Sequence, residues 1–458
     1  MKKISILVAL AMLVSLLGAF AVTASAEESV WDGTYPAANA ACTFSGGDGS
    51  EAAPYIIASA ADLAQLCVNS NDADVIAATE SYTGVYFKII TDITLNSDYA
   101  NYKSWGDAAP ANKWTPMGIN LGTNNSYKDG IFKGNINGGG HVIRGLYVED
   151  TSEGWTSAAG FIGYYGGDME KLGFEGCYVK GNATAGMFAG VIAATFGCPN
   201  ISNCSDLNQC YVKDAVVTSW RGAGLIAGAG GQCNVQDCWA SGEVISGRLD
   251  GEADCSAFIG WSNGNNAEFT LENCYTIGSI NQDANVCGVL VGNVSSTVGT
   301  ITNCYYDSVA AGCDKAIGWC CPQSVDYIET NDIASKDMTV STLGFSATVW
   351  ADAEGGTPVL KIFANPEGAE SVDTTPASSA EDTTKQADDT TAEVADTTAE
   401  AGNTTVSEAD TSAEAADTTG ETSENKDGAN TGLIIGIIAG AVVIIGAVIA
   451  IIATKKKK

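Results

Sequence analysis

Ala159-Gly160-Phe161-Ile162-Gly163, followed after a turn by Cys177-Tyr178-Val179, opens a phrase that recurs five times between residues 159 and 306. Its small-residue and apolar knot returns as Ala185-Gly186-Met187-Phe188-Ala189-Gly190, Ala223-Gly224-Leu225-Ile226-Ala227-Gly228, Ser256-Ala257-Phe258-Ile259-Gly260 and Cys287-Gly288-Val289-Leu290-Val291-Gly292. The cysteine phrase returns at Cys210-Tyr211-Val212, Cys238-Trp239-Ala240, Cys274-Tyr275-Thr276 and Cys304-Tyr305-Tyr306. The closing glycine of the knot advances by 27, 38, 32 and 32 residues, and the cysteine by 33, 28, 36 and 30. A period near 30 with rigid short elements and elastic gaps is the signature of stacked repeats.

Each unit holds short apolar runs rich in Val, Ile, Phe and Tyr, separated by Gly and Asn. No run has the length or the 3.6-residue period of an amphipathic helix. Short strands between turns fit, and the fold class expected is all-β: a β-solenoid, in which each coil pairs with the next. In that arrangement Cys177, Cys210, Cys238, Cys274 and Cys304 point inward as a structural stack, behaving as small hydrophobes. Disulfides between coils are the alternative, disfavoured because stacked side chains run parallel instead of converging.

The ends of the chain have other compositions. Lys2 and Lys3, an apolar run from Ile4 to Val22 and the small residues Ala24-Ser25-Ala26 read as a signal peptide over residues 1–26. Residues 27–364 are expected to form the extracellular domain. Residues 365–430 lack aromatics and carry 17 acids against Lys385 and Lys426. Such a segment cannot bury enough apolar surface to fold and is expected to be a disordered acidic stalk, reaching roughly 45 Å. Residues 431–454 include an uncharged apolar run from Leu433 to Ala453, read as a single transmembrane helix. Lys455–Lys458 then place the C-terminus in the cytoplasm, which gives a single-pass type I protein of the plasma membrane. No Leu-Pro-x-Thr-Gly sortase signal precedes the span.

Net charge is −32 for the chain. Residues 27–364 hold 37 acids against 14 bases. Nucleic acid is not an expected partner in that field. All 15 cysteines lie in this region, an odd number, so at least one thiol is free or pairs between chains. Cys198, Cys204, Cys233, Cys255, Cys287, Cys313, Cys320 and Cys321, which lie off the stack, are the better disulfide formers. Cysteine spacing lacks Cys-x2-Cys pairs and neighbouring His, so no metal is expected.

The knots together with Leu271-Glu272-Asn273-Cys274-Tyr275 and Ile301-Thr302-Asn303-Cys304-Tyr305 resemble the GLUG-repeat surface proteins of bacteria. The segments Gly47-Asp48-Gly49-Ser50, Trp114-Thr115-Pro116-Met117-Gly118 and Gly356-Thr357-Pro358-Val359-Leu360-Lys361 match the lead-in and ending of that family. The resemblance spans about residues 46–363. It implies a right-handed parallel β-helix of the pectate-lyase-like kind, found in secreted and surface-anchored bacterial proteins, and a Gram-positive cell is the expected source.

Catalytic constellations are not legible. His141 is the sole histidine of the chain and reads as part of a turn entering a strand. The domain has only Arg144, Arg221 and Arg248 as arginines, with no clustered Asp near them in sequence. No catalytic residue and no cofactor is expected. Trp105, Trp155, Trp220 and Trp261 fall in loops, where aromatic rings can form a platform for sugars. Asp48 and Asp307 are turn residues weighed as calcium ligands. The reading that follows is a non-enzymatic, membrane-anchored surface protein for adhesion, with an extracellular glycan or a protein of a host or neighbouring cell as partner. A carbohydrate-active enzyme on the same scaffold and a structural envelope spacer are the alternatives. Deleting residues 433–458 is expected to release the protein into the medium, as immunoblotting of culture supernatants would show. Full-length protein bound covalently to peptidoglycan would contradict this anchoring.

Overall fold

The computed structural model describes residues 29–119, 130–153, 157–197, 205–247, 254–263, 268–281, 287–295, 298–320, 325–354 and 356–367. The signal peptide, all but the first residues of the stalk, the apolar segment and the Lys tail fall outside them.

The turn ahead of the repeat cysteines shapes the chain. Gln209, Asp237, Asn273 and Asn303 directly precede Cys210, Cys238, Cys274 and Cys304, and all four have φ between 50° and 52°. This left-handed conformation costs an ordinary L-residue roughly 1–2 kcal/mol, less for Asn and Asp, whose short polar side chains bond locally. Lys171 (φ 53°) and Gly140 (φ 84°) hold the same place in the two preceding passes. The register His141↔Leu172 and Gly173↔Tyr211 makes the correspondence.

On either side of this corner the strands pair in parallel. One ladder aligns Met169, Leu207, Val235, Leu271, Ile301 and Ile328. The other aligns Gly173, Tyr211, Trp239, Tyr275 and Tyr305. A separate six-stranded sheet aligns Ile162, Ala193, Ala227, Ile259, Val291 and Ile317. These rows bury Leu207, Val235, Leu271 and Ile301 together with Ile162, Ile259 and Val291 in one apolar core.

The expected fold class needs correction. Parallel pairing runs from Met169–Lys180 through Ser205–Asn208, Cys233–Gln236 and Glu268–Glu272 to Val298–Tyr306. It returns through Tyr275–Thr276, Trp239–Ser246 and Tyr211–Ser219 to Met169–Lys180. Eight strands thus close a parallel ring, in place of the expected right-handed parallel β-helix. The physical reason is strand length. Met169–Lys180 has 12 residues and Val298–Tyr306 has 9, and each passes the corner and pairs in both ladders. The chain is also not all-β. Helices Ala60–Asn69 and Ala73–Thr79 precede the repeats, the first capped by Ser59 and burying Leu63, Leu66 and Cys67. Among the described residues no helix is long and apolar enough to cross a membrane. Residues 431–454, read as the transmembrane helix, lie outside them.

Register also revises the repeat. Ala159 pairs with Ala189, Ala189 with Ala223, Ala223 with Cys255 and Cys255 with Cys287. Gly190 therefore lies opposite Gly160 and not opposite Gly163. The irregular steps of 27 and 38 come from matching the wrong glycines. Gly190 is required by close approach: a Cβ there would stand 2.4 Å from the Ala193 carbonyl oxygen and 2.5 Å from Ala227 Cα.

The cysteines follow the corner. All five repeat cysteines are fully buried. Register groups Cys210, Cys238, Cys274 and Cys304, with Leu172 taking the place in the preceding pass. Cys177 stands elsewhere, opposite Ala215. Each grouped thiol donates back across its corner to the carbonyl two residues earlier: Asn208 at 3.4 Å, Gln236 at 3.1 Å, Glu272 at 3.2 Å and Thr302 at 3.2 Å. Burial pushes the thiols of Cys238, Cys274 and Cys304 well above the ordinary range. Cys274→Ala is expected to cost about 1–2 kcal/mol, a small volume and a weak donor. Cys274→Asp should cost much more, because a carboxylate would be buried without a partner. Urea unfolding of both variants checks the contrast.

Candidate functional site

The residue after each grouped cysteine is aromatic, and the parallel register stacks these rings. Tyr211 and Trp239 are 5.0 Å apart with planes 5° from parallel, and Trp239 and Tyr275 are 5.7 Å apart at 4°. Tyr211 has room because Gly173 lies opposite it; a Cβ on Gly173 would meet the Tyr211 ring at 2.4 Å. The C-terminal segment crosses this column. Trp350–Ala351 and Val359–Leu360 form an antiparallel pair. Trp350 packs against Tyr275 and donates its indole N–H to Asp237 Oδ1 at 2.9 Å. Tyr275 donates to the Pro358 carbonyl at 2.5 Å, and Phe363 stands edge-on to Tyr211 at 4.6 Å.

A groove of about 630 Å³ remains between column and strap. Tyr211, Trp239, Ile277, Leu360 and Phe363 give it apolar walls, while Glu175, Lys213, Asp214, Ser241 and Thr357 supply polar groups. The faces of Trp239 are occupied by its neighbours, so the rings present their edges. Trp239 is 6% exposed, and its indole Nε1 is buried with no hydrogen-bond partner. An unsatisfied buried donor costs about 1–3 kcal/mol.

One end of the groove is fixed by a chain of charged groups. Arg144 donates from Nη1 to Asp92 Oδ2 at 2.9 Å and from Nε to Glu175 Oε2 at 3.1 Å. Tyr211 donates its hydroxyl to Glu175 Oε1 at 2.9 Å, and His141 Nδ1 lies 3.1 Å from Asp92 Oδ1. Burial works to raise the Asp92 carboxyl, but the bonds from His141 and Arg144 outweigh it and hold it below the usual range. Burial and the adjacent Glu175 carboxylate push the Tyr211 hydroxyl far above its ordinary value. His141 and Arg144 looked isolated in the sequence because Asp92 lies 49 and 52 residues away from them.

Of the tryptophans read as ligand candidates, Trp220 and Trp261 share one cluster, and Trp105 belongs to another. Trp105 is buried and donates to Asp98 at 3.3 Å. Trp261 is buried, stacked on Phe188 with Arg221 over its ring, and Trp220 is half-buried in the same cluster. Trp155 lies outside the described residues. Asp48 and Asp307 accept from backbone N–H groups of their own turns, Ser50 for the first, Val309 and Ala310 for the second. Among the described residues no group of three or more His, Cys, Asp or Glu could hold a metal ion. The groove was hidden because Tyr211 and Trp239 sit in repeat phrases that read as core, and the strap joins them from more than 100 residues away.

No protein-family model matches the chain, and no curated protein matches it. A solved structure of a candidate immunoglobulin A1 protease from Bacteroides ovatus is similar at 16% identity and a TM-score of 0.45, over 72% of this chain and 98% of that one.

The Asp92 carboxyl, lowered in the folded state, contributes stability that is complete above its unfolded pKa of about 3.9 and is lost as pH falls through its lower folded value. Asp92→Asn is therefore expected to cost about 1–2 kcal/mol at pH 7 and progressively less in acid. Urea unfolding at pH 7 and at about pH 2.5 measures the difference; a cost that does not shrink in acid would contradict the pairing.

Proposed function

We propose that the protein is a non-enzymatic, membrane-anchored bacterial surface protein whose groove binds a neutral extracellular glycan. The observation that supports this reading is a groove of about 630 Å³ walled by Tyr211, Trp239 and Phe363 and bordered by Lys213, Asp214, Ser241 and Thr357. A saccharide suits the surroundings. Its apolar C–H faces match ring edges and Phe363, and its hydroxyls match Lys213, Asp214, Ser241 and Thr357. Charges of both signs on the rim give a neutral ligand more than they give an ionic one. A polyuronate or nucleic acid would face the acidic field of the domain.

Glu175 favours binding over hydrolysis. It is the carboxylate bound most firmly at the groove, held by Arg144 and Tyr211 together. A general acid needs a carboxyl free to take and give a proton, and this one is committed to two donors.

Residues 27–367 probed on an array of neutral glycans should show binding. Asp214→Ala combined with Ser241→Ala, which removes two polar groups of the groove and leaves the ring column in place, should weaken it about five- to tenfold while the protein still unfolds cooperatively. Absence of binding to every neutral glycan, or release of reducing sugar from a bound one, would overturn the proposal.

A further inference from the structure

Two cysteines meet where the chain enters the last strand of the six-stranded sheet. Cys287 opens the fifth knot, ahead of strand Val291–Ser295. Cys313 follows the short helix Ser308–Ala311 and the left-handed Gly312 (φ 67°), ahead of strand Ile317–Cys320. Their sulfurs are 3.5 Å apart across a sequence separation of 26. Both residues are half-buried, so reagents from solution can reach them.

This pair differs from the cysteines of the repeat in its exposure and in having one thiol lowered. Cys238, Cys274 and Cys304 are fully buried, donate to their own corner carbonyls and are held protonated by burial. Cys287 and Cys313 bond to each other. The contact with Cys287 draws the Cys313 thiol down to about 6, while the same contact raises Cys287. Cys313, the lowered thiol, is the readier attacking sulfur, and Cys287, 3.5 Å away, is placed to resolve it.

We propose that Cys287 and Cys313 are a dithiol–disulfide pair, cross-linked by exchange with low-molecular-mass disulfides and reopened by low-molecular-mass thiols. The Cys313 thiolate attacks one sulfur of the external disulfide, forming a mixed disulfide and expelling one thiolate. Cys287 then loses its proton and attacks the Cys313 sulfur, forming the internal disulfide and expelling the second thiolate. The protein gives up two electrons and the Cys287 proton; the external disulfide takes the electrons and leaves as two thiolates, one of which that proton can neutralise.

Position gives the link a purpose. Ile317–Cys320 ends the six-stranded sheet and pairs with one neighbour only, Val291–Ser295. A terminal strand lacks the second ladder that holds interior strands, and it opens first. A bond from Cys313 to Cys287 ties the entry of this strand to the entry of its single neighbour. It also holds Trp319, 46% exposed on that strand, in place.

The test uses the full chain, equilibrated with mixtures of oxidised and reduced glutathione, quenched with an alkylating reagent and mapped by mass spectrometry without reduction. The expected result is a peptide pair joined through Cys287 and Cys313, appearing with a single two-electron midpoint. Cys210, Cys238, Cys274 and Cys304 should stay unlinked, and unalkylated until the protein is denatured. Alkylation of both Cys287 and Cys313 after full oxidation would overturn the proposal. So would a link from either one to Cys255, Cys320 or Cys321, or a glutathione adduct that persists at equilibrium. As a second readout, Cys287→Ala should slow alkylation of Cys313 at pH 7 tenfold or more and move its pH profile upward. An unchanged rate would show that Cys287 does not activate it.

Discussion

One left-handed residue in each pass, directly ahead of the grouped cysteines, is the constraint on which the rest depends. It bends the chain between two parallel ladders without breaking the pairing of either. Because Gln209, Asp237, Asn273 and Asn303 all take it, successive corners superpose. In these four passes the next residue, a cysteine, is turned into the core, and the aromatic residue after it is turned toward the C-terminal strap. The inward position has little space and a carbonyl two residues back to satisfy. Cysteine meets both needs, small enough for the space and able to donate weakly to that oxygen. The outward position is stacked on its equivalents and favours flat rings.

The candidate site is a consequence of this periodicity. Tyr211, Trp239 and Tyr275 stand in a column because their corners do, and a column leaves only ring edges free. Its outer face is hydrophobic and would be exposed, so the C-terminal segment folds back to cover it through Trp350, Leu360 and Phe363. Coverage is incomplete beside Glu175 and Lys213, and the gap is the groove. Glu367 continues the clamp by pairing with Lys88 at 3.1 Å and Lys171 at 2.8 Å. The first residues of the segment whose composition reads as stalk thus belong to the packing of the domain. Arg144, Asp92 and Glu175 hold the end of the groove, linking strands of three passes.

Much of the local architecture was legible in the residues. The stacked period, the parallel pairing of short strands and the burial of the repeat cysteines all follow from small residues, β-branched runs and Asn or Gly at fixed places. Register was not legible. Cys177 carries the same Cys-Tyr-Val phrase as Cys210 yet sits opposite Ala215, because Lys171 and not Gly176 takes the corner of that pass. Lysine gives no turn signal, and Gly176 gives a false one, being left-handed at a second bend. The closed eight-strand ring was hidden for a related reason. Positive φ inside Met169–Lys180 makes a continuous strand look like two in sequence. Trp261, read as a loop residue, lies on strand Ile259–Asn263 and packs inward on Phe188. Contacts such as Asp92 with Arg144 join passes far apart in sequence, and a single chain carries no local mark of them.

The corner can be tested at Gln209, whose φ of 51° is unfavourable for its own side chain. Urea unfolding of Gln209→Gly and Gln209→Val gives the most direct measurement. If the left-handed turn governs the stacking, glycine relieves strain and leaves stability unchanged or raised by up to about 1 kcal/mol, despite its greater freedom in the unfolded chain. Valine, β-branched and strongly disfavoured at positive φ, should cost about 1–2 kcal/mol or more. Equal losses in the two variants, or a valine variant as stable as the parent, would contradict it.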